Sequence, residues 1–206
     1  MTDKFRHKYR IPSARASWWD YNNIALYFIT ICTKNREHFF GEIVSESQTP
    51  CMASLRATEI GRIAEQEWLK TPALRPDMNL VLDEFVIMPN HFHAIIQIGK
   101  NDYNRPDGGC RDAMHGVSAE HSVSTDDEME KIMDGNKFGP QSKNLSSIVR
   151  GYKSAVTTYA RKNNIAFSWQ SRFHDHIIRN EKSYQRIKNY ILNNPKNWKD
   201  DIFYTD

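Results

Sequence analysis

The chain has 206 residues, of which 39% are hydrophobic and 12% aromatic, so it can bury a core without disulfide or metal staples. This composition excludes an intrinsically disordered chain, and no apolar run approaches the roughly 20 residues that a membrane helix needs. The three cysteines are far apart and form no C-x-x-C pair, so neither a disulfide framework nor a thiolate zinc knuckle is indicated. We therefore expect a soluble, cytoplasmic protein with no membrane partner.

The formal net charge of +3 is unevenly distributed along the chain. Residues 101 to 135 hold nine acidic and three basic side chains, so the rest of the chain holds 25 basic and 16 acidic ones, a balance of +9. A basic folded part favours a polyanionic partner, although many globular proteins are basic for solubility alone.

The first half of the chain predicts three strands and one helix. Residues 23 to 33 are β-branched and aromatic, which is typical of a strand, and residues 56 to 69 place apolar side chains at helical spacing. Residues 78 to 89 and 91 to 98 predict two further strands. Because so few residues separate these two strands, they should form an antiparallel hairpin.

The second half of the chain begins with a segment that has no periodicity. Between residue 99 and about residue 140, Gly, Asp, Asn and Ser dominate, and we interpret this segment as a flexible acidic insertion. Residues 144 to 162 predict a helix with one apolar and one basic face. Residues 166 to 179 predict a loop that leads into a strand, and residues 180 to 195 predict a helix with Asn180 as its N-cap.

This order of elements predicts the fold class. It matches an α+β, ferredoxin-like antiparallel sheet with helices packed on one face, followed by a C-terminal helix. We expect residues 1 to 206 to form one such domain, interrupted by the insertion at about 99 to 140.

The stretch MPNHFHAII puts two imidazoles on a strand that is otherwise apolar. Strand side chains alternate between faces, so His91 and His93 share one face while Phe92 points to the other. Two neutral imidazoles in this arrangement are well placed to hold one divalent metal ion. The alternative, that one or both are hydrogen-bonded core histidines, is equally open on this motif alone.

This stretch resembles the His-hydrophobic-His strand of the HUH single-strand DNA endonucleases, and in particular of their single-tyrosine transposase branch. Most of the chain shares the resemblance, in the family's order, through the blocks YFITICTKNREHFFG, FGPQSKNLSSIVRGYKSAV and WQSRFHDHIIRNEKSYQRIKNYILNNP. The last block is similar to the REP-associated tyrosine transposases, because an Asn stands where the insertion-sequence transposases have a Gln.

The resemblance implies a metal-dependent endonuclease and strand transferase that acts on single-stranded DNA with hairpin or repeat structure. The family's nucleophile matches Tyr190, which would form a 5′-phosphotyrosine intermediate, and its third metal ligand beside His91 and His93 matches Asn194. Tyr190 and Asn194 lie four residues apart and hence on one helix face. A tyrosine on such a helix is otherwise most often a packing residue, and Tyr184 is the nearest competitor.

The end of the last helix sets the expected metal chemistry. Pro195 should push Asn194 out of helical geometry and expose its carboxamide. Two imidazoles and a carboxamide oxygen suit Mg²⁺ or Mn²⁺, while zinc stays open on ligand type. No base for Tyr190 is evident, and Lys188, Arg186 or the metal would lower its pKa through nearby positive charge.

Recognition of single strands combines aromatic stacking with cationic backbone contacts. The candidate DNA contacts with that chemistry are Arg10, Arg15, Trp18, Trp19, Arg150, Lys153 and Arg172. For each of them, packing on the sheet or a solvated surface is at least as good an explanation.

Two rival functions stay open from the sequence. A non-catalytic single-stranded nucleic-acid binding module would keep the fold and need no nucleophile. A metal-dependent hydrolase of small phosphoesters would have no evident use for a basic, aromatic surface. The oligomeric state, a monomer or a homodimer, is also open.

Overall fold

The computed structural model describes residues 4–5, 8–9, 16, 18–45, 53–104 and 142–205. Most of the predicted acidic insertion, from residue 105 onward, lies outside the described residues, as do Arg10 and Arg15. The strands are β1 (Lys4–Phe5), β2 (Lys8–Tyr9), β3 (Ala25–Cys32), β4 (Gly41–Ser45), β5 (Ala53–Ala57), β6 (Leu80–Met88), β7 (His91–Ile98) and β8 (His174–Ile178). The α-helices are α1 (Glu59–Leu69), α2 (Leu145–Lys162) and α3 (Glu181–Asn193). Short 3-10 turns lie at Lys34–Arg36, Pro76–Met78 and Trp198–Asp200.

Four strands form the central antiparallel sheet, in the order β6-β7-β3-β8. Strand β7 pairs with β6 on one side and with β3 on the other, and β3 also pairs with β8. The chain passes through this sheet as β3, α1, β6, β7, α2 and β8, which is the β-α-β-β-α-β order of a ferredoxin-like fold. The predicted α+β fold class is confirmed.

Two small hairpins, β1–β2 and β4–β5, lie outside the central sheet. Arg56 and Ala57 belong to β5, so the prediction that the first helix begins at residue 56 is wrong. The helix begins at Glu59 because Thr58 caps it, with the Thr58 hydroxyl accepting a hydrogen bond from the Gly61 N–H at 3.1 Å.

Different helices pack on the two faces of the central sheet. Helices α1 and α2 pack on one face, where Phe92 meets Trp68 and Tyr152 at ring-centroid distances of 5.0 and 5.4 Å. Helix α3 packs on the opposite face through Ile187 and Ile191, which belong to a separate apolar cluster. Because strand side chains alternate, the face that carries Phe92 is not the one that carries the histidines of β7.

Both ends of α3 are set by asparagines. Asn180 caps its beginning as predicted, since its side-chain oxygen accepts from the Ser183 N–H at 2.8 Å. The predicted exposure of Asn194 is wrong, because φ −58° and ψ −44° keep it helical and only 2% of it is exposed. A 2.6 Å hydrogen bond from Asn194 Nδ2 to Asp201 outweighs the bias of Pro195 against helical geometry in the preceding residue.

Within the part of the chain that the structure describes, no helix combines the length and the apolar character needed to cross a bilayer.

Candidate metal and tyrosine site

The two histidines lie on β7, one of the two interior strands of the central sheet. Strand β7 is hydrogen-bonded on both sides, and His91 and His93 are buried, with ring centroids 4.5 Å apart. Both rings face α3, as the alternation of side chains predicts, while Phe92 faces the other helices. The pair therefore lies side by side under the C-terminal helix.

Hydrogen bonds set the proton position on His91. Its Nδ1 lies 2.9 Å from Asn90 Oδ1, an atom that only accepts, so Nδ1 carries the proton. The Asn90 amide is held in turn, because its Nδ2 donates to the carbonyls of Arg36 and Phe203 at 3.2 and 2.8 Å. The Nε2 atom of His91 is left with a lone pair, which is the form that binds a metal.

His93 has partners on both ring nitrogens. Its Nδ1 lies 2.8 Å from Thr30 Oγ1 on the neighbouring strand β3, and its Nε2 lies 3.1 Å from the Tyr190 hydroxyl on α3. The ring also stacks on Phe28 at 5.3 Å. These contacts hold the imidazole in one orientation with Nε2 directed toward Tyr190.

Burial keeps both histidines uncharged at neutral pH. It lowers the pKa of His91 to about 3, although the Asn194 side chain acts to raise this pKa. Burial also lowers the pKa of His93 well below its usual value, and the neighbouring His91 acts in the same direction. Neutral imidazole is the protonation state in which histidine binds metal ions.

Tyr190 stands at the open side of the histidine pair. Its hydroxyl lies 3.1 Å from His93 Nε2 and also 3.1 Å from Asp201 Oδ2, and 40% of the residue is exposed. Burial raises the pKa of Tyr190 above its usual value, and the negative charge of Asp201 adds to the increase. The expectation that Lys188 or Arg186 lowers this pKa is therefore wrong, and Lys188 pairs instead with Asp83 and Glu84.

Asp201 is the site residue that the sequence patterns did not single out. Its Oδ2 accepts hydrogen bonds from Tyr190 and from Asn194, and its Oδ1 accepts from the Phe203 N–H at 2.7 Å. One donor atom each from His91, His93 and Asp201 lie within 4.8 Å of one another, a grouping that can hold a divalent metal ion. The sequence signal for Asp201 was the acidic pair Asp200 and Asp201 shortly after α3. The spacing of this pair does not link it to the histidines.

Asn194 presents an oxygen to the same place. A carboxylate only accepts, so the amide turns its Nδ2 toward Asp201 and leaves Oδ1 as a free acceptor. Within the described residues, Asn194 Oδ1 and His91 Nε2 are both buried and have no hydrogen-bond partner. A buried polar atom without a partner costs about 1–3 kcal/mol, so two of them at one site fit the donor set of a metal ion.

Tyr184, the competing tyrosine, lies away from the histidines. Its hydroxyl donates to Asp83 Oδ2 at 2.7 Å, on the flank of α3 that faces β6. Its ring packs against the apolar cluster under α3. Tyr184 therefore has the position of a packing residue.

The two predicted tryptophan contacts have different surroundings. Trp18 is 65% exposed and lies under the Arg179 guanidinium, 4.8 Å from the ring centroid. Trp19 is half-buried, and its Nε1 donates to the Tyr27 hydroxyl at 3.0 Å. Trp18 has a surface that a ligand can reach, whereas Trp19 packs against the core.

The remaining described DNA candidates lie around α2 and the loop before β8. Arg150 is exposed on α2, on the sheet face opposite Tyr190. Lys153 donates to the carbonyls of Gln170 and Arg172 at 2.6 and 3.1 Å, so it fastens that loop to the helix. Arg172 itself is exposed. The structure does not bring these three side chains together with the histidines.

Comparisons with known proteins place the chain in a family. No family model matches it. A Haemophilus influenzae protein, described as an uncharacterized protein, is 35% identical over 195 residues, which is 94% of this chain and 93% of that protein. The chain belongs to the family of this Haemophilus protein.

Two solved structures are more distantly similar to this chain. A REP-associated tyrosine transposase bound to a REP hairpin is 16% identical, with a TM-score of 0.48 over 90% of this chain and 73% of the other. A Deinococcus radiodurans protein described as a candidate transposase is 12% identical, with a TM-score of 0.35 over 89% of this chain and 97% of the other. At TM-scores below 0.5, neither similarity identifies an activity for this chain.

The buried histidines predict how stability depends on pH. Their pKa values are lower in the folded chain than in the unfolded chain, so the unfolded state binds more protons once the pH falls below about 6.5. Their contribution is complete above that pH and is lost as the pH falls toward the pKa of each histidine in the folded chain, which is about 3 for His91. Each histidine should reduce the free energy of unfolding by up to about 1.4 kcal/mol per pH unit.

Urea denaturation between pH 7 and pH 5 measures this slope. His91→Gln removes one titrating group and should reduce the slope by about one proton. Stability that stays constant from pH 7 to pH 5 in the unaltered protein would contradict neutral, buried histidines.

The donor set predicts that a divalent metal stabilises the folded chain. At a Mn²⁺ concentration 100 times the Kd, the free energy of unfolding should rise by about 2.7 kcal/mol, which thermal melting detects. His91→Ala should abolish the increase, whereas His176→Ala, an exposed histidine on β8, should retain it. Comparing the stabilisation by Mn²⁺ in Asn194→Ala and in Asp201→Asn then shows which side-chain oxygen binds the ion. If Mn²⁺ stabilised His91→Ala as much as the unaltered protein, the ion would not be bound at this site.

Proposed function

We propose that this protein is a metal-dependent endonuclease and strand transferase for single-stranded DNA, with Tyr190 as its nucleophile. The observation that carries the proposal is the Tyr190 hydroxyl, 3.1 Å from His93 Nε2 and beside the unpartnered donors of His91 and Asn194. The resemblance of the motif blocks to the REP-associated tyrosine transposases supports the same chemistry, with hairpin or repeat DNA as the substrate.

His91 and His93 would hold the metal through their Nε2 atoms, with an oxygen from Asn194 or Asp201 as the third ligand. Asn90 and Thr30 bond the other ring nitrogens, which orients both imidazoles for this task. Mixed nitrogen and oxygen donors with room for water and a phosphate oxygen fit Mg²⁺ or Mn²⁺. A divalent metal, when bound, supplies the positive charge that polarises the scissile phosphate.

Tyr190 forms the covalent link to DNA in the proposed reaction. A bond forms between Tyr190 Oη and the phosphorus while the bond from phosphorus to the 3′-oxygen breaks. The phenol proton passes to Asp201 Oδ2, which already accepts from this hydroxyl, and the leaving 3′-oxygen takes a proton from water. Attack by another 3′-hydroxyl reverses the step and transfers the strand, so no ATP is needed.

The DNA strand should approach from the side of Tyr190. On the other side, Phe203 covers His91 with ring centroids 4.6 Å apart, and Trp198 lies 5.8 Å from the same ring. Tyr190 is the exposed member of the site. A phosphate that reaches the phenol would therefore also reach the donors beneath it.

The rival binding module explains less of the site. A protein that only bound nucleic acid would have no use for buried acceptors on His91 and Asn194 that lack partners and destabilise the fold. A hydrolase of small phosphoesters would use the same metal donors, and competition by oligonucleotides separates it from the proposed function.

Covalent adduct formation tests the proposal. The protein is incubated with Mg²⁺ or Mn²⁺ and labelled single-stranded hairpin oligonucleotides from the flanks of its own gene, and the products are run on a denaturing gel. We expect a shifted band that resists denaturant. Tyr190→Phe should reduce its rate of formation by at least roughly 1,000-fold while DNA binding is retained, because the nucleophilic oxygen alone is removed.

Tyr184→Phe is the matched control, since it removes a hydroxyl from the same helix and leaves the site intact. It should form the adduct at a rate within a few-fold of the unaltered protein. Tight binding of the hairpins without any adduct would favour the non-catalytic module instead.

A further inference from the structure

A cleft of about 800 Å³ lies where the edge strand β8 meets the first turns of α3. It is separate from the histidine pair and lies at the sheet edge. The side chains that give it its chemistry are Trp18, His176, Arg179, Lys182, Ser183 and Arg186.

The cleft is strongly basic. Arg179, Lys182 and Arg186 line it against a single carboxylate, that of Asp175. Among the described residues, neither Lys182 nor Arg186 forms an ion pair, since the ion pairs of α3 use Lys188. Burial lowers the pKa of His176, and the charges of Arg186 and Arg179 lower it further. Such a field attracts a polyanion.

Trp18 lines the cleft with an exposed aromatic ring, and the residues beside it in the chain are anchored to the core. The neighbouring Trp19 is bonded to the Tyr27 hydroxyl, and the Ala16 N–H donates to the Tyr21 hydroxyl at 3.1 Å. Tyr21 and Tyr27 are both core residues. These bonds anchor the chain on both sides of Trp18, and the Trp18 ring itself contacts the Trp19 ring edge-on at a centroid distance of 5.8 Å. A side chain on an anchored segment loses less entropy when a base stacks on it.

The cleft and Tyr190 lie on the same flank of α3. Arg186 precedes Tyr190 by four residues and Ser183 precedes it by seven, so the cleft is about 6–10 Å from the nucleophile along the helix axis. At about 3.4 Å per stacked nucleotide, this distance corresponds to roughly two or three nucleotides.

The edge strand connects the two places. His174 and His176 alternate with Ile177, which packs on the opposite face of the sheet, so both histidines share the face of His93 and Tyr190. His174 pairs with Thr30, the residue whose hydroxyl bonds His93. A strand laid along β8 would pass from the cleft to the tyrosine without crossing a helix.

We infer that this cleft binds an unpaired nucleotide of the substrate strand, two or three nucleotides from the scissile phosphate. Its base stacks on Trp18 beside Arg179, and its phosphates bind Arg186 and Lys182. The cleft would thereby set which phosphate reaches Tyr190. This inference rests on the proposed function for the reaction, but the binding itself requires no chemistry.

Binding is therefore measured in the Tyr190→Phe protein, by fluorescence anisotropy with a labelled dT12 oligonucleotide and with a duplex of equal length. We expect Trp18→Ala to raise the Kd for dT12 at least roughly fivefold, Trp18→Phe to retain most of the affinity, and duplex binding to change less than twofold. Arg186→Gln should reduce the slope of log K against log salt by about 0.7 for dT12.

Arg161→Gln is the matched control for charge, because Arg161 is exposed on α2 and α2 covers the opposite face of the sheet. It should leave both the Kd and the salt slope for dT12 unchanged. Thermal melting of every variant shows that each is folded.

Two results would overturn the inference. One is a Kd for dT12 that changes less than twofold in both Trp18→Ala and Arg186→Gln, and the other is an equal loss for single strand and duplex. Either result leaves the adduct assay with Tyr190 unaffected. Conversely, a cleft-dependent Kd without any adduct would support the binding site while contradicting the proposed reaction.

Discussion

Two uncharged imidazoles are buried side by side on a central strand, and the surrounding structure is arranged to meet the cost of burying their nitrogens. Asn90, in the turn before β7, and Thr30, on β3, each bond one ring nitrogen. The ring nitrogens that remain are aimed away from the sheet, toward α3. Since burial also keeps both rings neutral, the strand carries two imidazoles in the charge state that binds metal ions rather than a pair of charges.

The C-terminal elements complete this site from the other side. Helix α3 is held on the sheet by Ile187 and Ile191, and this packing sets Tyr190 over His93. The turn after α3 returns Asp201 to the same place, where it bonds both Tyr190 and Asn194. The nucleophile and the oxygen donors therefore depend on one helix and on one carboxylate that orients them.

Sequence patterns predicted the parts of the structure that follow from local periodicity. The strand alternation placed His91 and His93 on one face, and the four-residue spacing placed Tyr190 and Asn194 on one helix flank. Asp201 could not be found this way, because its position depends on how the chain turns after α3. The burial of Asn194 was missed for the same reason, since its hydrogen bond to Asp201 outweighs the local effect of a following proline. Strand β5 spans only five residues, and its last two, Arg56 and Ala57, were assigned to the first helix.

The identity of the DNA-linked residue decides whether Tyr190 is the nucleophile. After incubation with Mn²⁺ and a hairpin oligonucleotide, the protein would be digested with protease and nuclease and its peptides analysed by tandem mass spectrometry. We expect a nucleotide attached through its 5′-phosphate to Tyr190, within a peptide of α3, and none in the His91→Ala protein. A nucleotide on Tyr184 or on another tyrosine, or an adduct that persists in His91→Ala, would contradict it.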